Sequence, residues 1–132
     1  MNKKLCKGAG ILAAAVVFGL VSGVLFAREA KLFVGDWEGA VLVEGQEIAL
    51  VCHFSMDEGG MLTGTLDSPD QGAFGLALAD IAVEGRTISF GIDDPNVPGD
   101  PLFEGVLDDS GKKISGEFWQ GEGEGTFELT KK

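Results

Sequence analysis

The sequence predicts an all-β domain, an eight-stranded up-and-down barrel or a strongly curved meander sheet, behind one hydrophobic leader helix. Three observations carry that expectation. From Gly35 onward apolar residues recur at every second position rather than at helical spacing. Short Gly- and Asp-rich turn segments interrupt the alternation at close intervals. A glycine between two apolar residues returns as Trp37-x-Gly39-x-Val41, Leu62-x-Gly64-x-Leu66, Phe103-x-Gly105-x-Leu107 and Ile114-x-Gly116-x-Phe118.

Residues 1–27 stand apart from this pattern. Lys3, Lys4 and Lys7 precede an uncharged apolar run from Gly8 to Ala27 that ends in Leu25-Phe26-Ala27. This is the layout of a secretory signal peptide, with Arg28 opening the mature chain. The run is also long enough to span a bilayer, so an uncleaved leader would make a single-pass membrane anchor. Either route exports the domain, to the periplasm or beyond the cell. Cys6 precedes the apolar run, whereas a lipoprotein cysteine would follow it. Cys52 is the only cysteine beyond the leader, so the cleaved form has no intramolecular disulfide to lean on.

Arg28 to Val34 are expected to be a short tether, and residues 35–132 the barrel domain. Trp37, Gly39, Val41 and Val43 share one face, followed after Glu44-Gly45-Gln46 by Ile48, Leu50, Cys52 and Phe54. Asp57-Glu58-Gly59-Gly60 turns the chain into Leu62, Gly64 and Leu66. Phe74, Leu76 and Leu78 give the next inward row, but the phase resumes at Ile81 and Val83. A β-bulge is therefore expected near Ala79-Asp80. Glu84-Gly85 leads to Ile88, Phe90 and Ile92; Pro95, Pro98 and Pro101 then forbid regular pairing. Phe103, Gly105 and Leu107, then Ile114, Gly116 and Phe118, and last Phe127 and Leu129 complete the count. A two-sheet sandwich fits the same strand count. The inward glycines favour a barrel, because closing a small barrel requires sharp bends.

Charge narrows the function. Of the ten basic residues three fall in the leader, so the chain beyond it carries seven against 21 acidic ones, a formal charge of −14. That excludes a phosphate-tracking nucleic-acid binder and a protein held to anionic lipid by charge; membrane contact is expected only through an uncleaved leader.

The candidate sites are few. No Gly-x-Ser-x-Gly elbow occurs, and the one histidine, His53, is expected to point outward into a cross-strand polar contact. Cys52 lies in an apolar row and reads as inert core. Asp93 to Asp100 lacks the ligand spacing and flanking helices of a calcium loop, and Glu122 and Glu124 sit in a glycine-rich hairpin. No catalytic residue, metal or cofactor is assigned. Trp119 falls out of phase with Ile114, Gly116 and Phe118 and is expected to be the more exposed tryptophan, forming a surface patch with Gln120. The recognition-loop candidate is Asp67, Ser68, Pro69, Asp70 and Gln71. The two aspartates are expected to lock the turn, and Gln71 has no evident turn role.

Gly35-Asp36-Trp37-Glu38-Gly39, Val51-Cys52-His53-Phe54, Thr65 to Ala73, Phe103-Glu104-Gly105 and Gly116 to Gly121 occur in this order. Together they resemble a β-rich accessory domain that precedes exported bacterial α/β-hydrolases of the serine aminopeptidase and esterase type, over about residues 35 to 131. The resemblance implies company and compartment rather than chemistry: an exported, non-catalytic module, here free-standing, that meets a protein, peptide or small ligand. The rival expectation is a lipocalin-like carrier of a small apolar ligand. A cavity of roughly a few hundred Å3 would mark the carrier. An exposed apolar patch around Trp119 would mark the interaction module.

Overall fold

A computed structural model describes residues 29–132. The leader, Cys6 and the proposed cleavage at Arg28 lie outside the described residues. Eight strands follow in chain order: β1 (Gly35–Val43), β2 (Gln46–Met56), β3 (Leu62–Ser68), β4 (Ala73–Glu84), β5 (Thr87–Ile92), β6 (Leu102–Leu107), β7 (Lys113–Gln120) and β8 (Gly123–Lys131). Each pairs antiparallel with its sequence neighbour, and β1 also pairs with β8, so the sheet closes into an up-and-down barrel rather than splitting into a sandwich.

Local chemistry sets the register. Glu44 and Gly45 both take positive φ, 50° and 79°, as a two-residue hairpin with the sheet's right-handed twist requires. The Asp57 carboxylate accepts the N–H groups of Gly59 and Met61, both at 2.9 Å, and so closes the next turn. The expected bulge is present: Ala79 pairs with Gly91 and Ala82 with Ser89, leaving one extra residue on β4, with Asp80 at φ 52°. A second irregularity lies upstream on the same strand. Leu66 pairs with Leu76 but Ser68 pairs with Ala73, and Gly75 sits at φ 68°. That shift corrects the expectation for Phe74. It does not continue the inward row of Leu76 and Leu78; it is 66% exposed.

The recurring glycines mark close approach between strands. A Cβ on Gly39 would overlap the Glu128 carbonyl, and one on Gly116 would overlap that of Glu104. At Gly105 the two nearest obstructions are side chains, Phe127 Cζ at 2.7 Å and Ile114 Cγ2 at 2.8 Å, with the Ser115 carbonyl farther off at 3.2 Å.

The barrel interior is packed unevenly along its axis. At the end where β1 begins, the segment expected as a tether contains a helical turn at Glu29–Lys31, and Phe33 is 0% exposed. Trp37 Nε1–H donates to the Phe33 main-chain carbonyl at 2.9 Å, which ties the indole to that turn; Cys52, Leu129 and Ile114 in the same core are also fully buried. Mid-barrel, Phe90 stacks on Phe103 at 4.8 Å, and Phe127 meets Phe103 edge-on at 5.2 Å. This end is closed.

Candidate functional site at the barrel mouth

The opposite end receives the β1–β2 turn, the β3–β4 connection, the proline-rich β5–β6 loop and the β7–β8 turn. Here side chains do not fill the interior. A cavity of about 730 Å3 runs inward from the mouth. Leu50, Leu66, Phe103 and Phe118 form its apolar floor, and Val43, Leu76 and Ile92 its walls. Its rim adds Ser68, Gln71, Asp94, Asn96 and Gln120. A concave site with an apolar floor and convergent polar groups is the usual form of a small-molecule site. A second depression of similar volume lies on the outer wall over Gly39, Gly116 and Asp70. Glycines leave the wall bare there, and this depression is more open to solvent than the cavity at the mouth.

The recognition-loop candidate forms one lip of the mouth, and every member has a structural task. Pro69–Gln71 make one 3-10 turn, left through Gly72 at φ 67°. Asp67 Oδ1 accepts Gly75 N–H at 2.7 Å, which pins the irregularity that turns Phe74 outward. Asp70 Oδ2 accepts Ala49 N–H at 2.9 Å, taking a ladder position that β3 leaves vacant when it departs into the turn. Buried Ser68 donates through Oγ to Gln71 Oε1 at 3.2 Å. Gln71 therefore has the turn contact that sequence reasoning denied it, and it also lines the cavity.

The proline loop forms the facing lip. Asp94 Oδ1 accepts Asn96 N–H at 2.8 Å, an Asx turn. Gly121 N–H donates to Gly99 O at 2.7 Å, and Gln120 Nε2 to Pro98 O at 2.8 Å. Gln120 continues the inward phase of Phe118 and reaches the cavity. Its companion does not: Trp119 is 6% exposed, so the expected exposed aromatic patch is absent. Alternation fixes the wall by which a side chain leaves the strand, not what stands against that wall. Sequence reasoning missed Phe74, Asn96 and Val97 as mouth residues. The available signal was Gly75, a glycine breaking the alternation directly after Phe74.

The outer wall below the first lip carries the one histidine, as expected, in a cross-strand polar contact. His53 Nδ1 meets Asp36 Oδ1 at 2.7 Å, directly across the β1–β2 ladder. Its Nε2 meets Asp67 Oδ2 at 3.1 Å, diagonally across β2–β3. Hydrogen bonds to Asp36 and then Asp67 raise the imidazole pKa above its ordinary value. Asp67 is lowered, first by the Gly75 N–H and then by His53. Cys52 faces the interior, where burial, with the Asp67 charge adding to it, pushes its thiol pKa up to about 12. That thiol is not a nucleophile near neutrality.

No family model and no curated protein matches the chain. Among solved structures, EF1p2_mFAP2b bound to DFHBI is similar, with a TM-score of 0.52 and 18% identity over 81% of this chain and 99% of that one. At that identity the likeness concerns the fold, and it places this chain among closed eight-stranded antiparallel β-barrels of lipocalin-like form.

Proposed function

We propose that the protein is a carrier that takes one small, largely apolar molecule into the mouth end of its barrel. The supporting observation is the 730 Å3 chamber, with apolar side chains at its floor and polar ones toward its rim. Its size falls in the range that holds drug-sized ligands, roughly 300–1,000 Å3. The similar fold of EF1p2_mFAP2b, solved with DFHBI bound, is compatible with this reading. The burial of Trp119 removes the surface patch that would have favoured a protein-binding module. Export, and company with a secreted hydrolase, belong to the same proposal and rest on the leader and on the sequence resemblance.

The test is a titration with N-phenyl-1-naphthylamine, a neutral apolar fluorophore. Its emission is expected to rise and saturate at one probe per chain. Leu76→Trp, which sets an indole into the cavity wall, is expected to abolish the rise. Absence of saturable binding to the folded chain would end the carrier reading.

A further inference from the structure

The lining of the cavity and the distribution of charge along the barrel narrow the ligand further. The six described basic residues, Lys31, Arg86, Lys112, Lys113, Lys131 and Lys132, all lie at the closed end, in its turns or in the strand ends that meet them. Several are spent there: Lys113 pairs with Glu128 at 3.2 Å, Lys131 lies over the Trp37 ring, and Arg86 donates to the Asp108 carbonyl. Among the described residues no cation lines the chamber. The mouth connections carry carboxylates instead, with Glu44, Asp93, Asp94 and Glu122 among them.

Asp94 is both a mouth carboxylate and a lining residue. Its Oδ1 holds Asn96 N–H. A carboxylate has about four acceptor sites, so Asp94 retains capacity for a ligand donor. The carbonyl and amide groups of Gln71 and Gln120 add neutral partners beside it. An anionic amphiphile entering here would shed hydration with no described Lys or Arg to receive its head, against a field of like sign. A protonated amine would keep its apolar body on the Phe103 and Phe118 floor and bring its charge to Asp94.

We propose that the mouth selects cationic amphiphiles, a protonated amine on an apolar or aromatic body, over neutral ones and most strongly over anionic ones. This rests on the carrier reading. Three near-isosteric probes separate the two ideas: 2-naphthylmethylamine, 2-naphthalenemethanol and 2-naphthoate, each measured by displacement of N-phenyl-1-naphthylamine. The amine is expected to displace best and the carboxylate worst. The amine-to-carboxylate ratio should be roughly five- to tenfold at about 20 mM salt and shrink toward unity at about 500 mM, because the field at an open mouth is screened. Asp94→Asn keeps the Asn96 contact and should bring the amine close to the alcohol. An amine no better than the alcohol, a carboxylate equal to the amine, or no displacement by any of the three would overturn the charge selectivity. In each of those cases saturable N-phenyl-1-naphthylamine binding leaves the carrier reading standing. If that fluorophore itself does not bind, the carrier reading fails and this inference fails with it.

Discussion

At the scale of single residues, two glycines with the same sequence motif differ in what they tolerate. A Cβ at Gly105 meets the ring edge of Phe127 and a methyl of Ile114, side-chain groups that must shift to admit it but can do so without breaking the ladder. Gly105→Ala is therefore expected to cost about 1 kcal/mol and Gly105→Val about 1–3 kcal/mol by overpacking. A Cβ at Gly116 overlaps a main-chain carbonyl of β6, which cannot move without breaking the ladder. Gly116→Ala should cost more than Gly105→Ala, although the added group is the same. Urea melts of the two alanine variants check the order, and equal midpoints would refute it. Cys52 offers an independent reporter. With its thiol pKa pushed up to about 12 and its side chain inside the barrel, it should resist Ellman's reagent in the native state of a Cys6→Ser chain. It should react at the rate of a free thiol only once the barrel unfolds.

At the scale of elements, the lip formed by Asp67 to Gly72 is held by hydrogen bonds whose partners are distant in sequence. The sequence made its turn character legible through Pro69 and Gly72. It did not reveal that Asp70 would reach Ala49, because that contact exists only once β2 and β3 are paired. The same limit hid the outward turn of Phe74 and the burial of Trp119, whereas strand count, the Ala79-Asp80 bulge and the outward His53 followed from alternation alone. Asp70→Ala should cost about 1–2 kcal/mol by leaving Ala49 N–H without its partner. Asp70→Asn, which retains an oxygen acceptor, should recover most of that loss. The Asp36–His53–Asp67 chain predicts a pH signature. A histidine whose folded pKa is raised stabilises the fold below its unfolded value, about 6.5, and that contribution is lost as pH climbs through the raised value. Asp67 is lowered, so its contribution is present above the ordinary carboxylate range and lost as pH falls through the lowered value. The bridge is thus at full strength between those two ranges. The gap in Tm between the native chain and His53→Ala should be widest near about pH 5.5 and narrow by about pH 9. The ring is 43% exposed, so solvent screening holds the stability difference behind that gap to about 1 kcal/mol or less. A gap independent of pH would mean that the ring acts by packing rather than by charge.

At the scale of the whole molecule, the barrel is a cup, filled at one end and hollow at the other, and the sequence shows why the two ends differ. The closed end receives part of its plug from outside the sheet: Phe33 arrives on the segment leading into β1, and its carbonyl is held by the indole N–H of Trp37 in that strand. At the mouth β3, β4 and β7 end on residues too small or too polar to meet an opposite number across the barrel: Ser68, Ala73 and Gln120. Inward alternation gives the same apolar lettering along both halves, so the hollow was not legible in the pattern. It depends on how many large side chains cross one level of the barrel. A matched pair of substitutions tests the distinction. Leu76 lines the chamber and Leu107 is buried at the closed end, and both are replaced by tryptophan. If the interior is packed to one density throughout, each change overpacks it and costs about 1–3 kcal/mol. If the mouth is hollow, Leu107→Trp carries that cost alone, while Leu76→Trp leaves the urea midpoint unchanged or raises it, because the indole gains contacts in space that no side chain occupied. Ligand and indole then compete for the same volume, so Leu76→Trp should also remove the rise in Tm that a bound apolar molecule gives the native chain. Two variants equally destabilised would mean that the chamber is not open in solution, and the carrier reading would lose the observation it rests on.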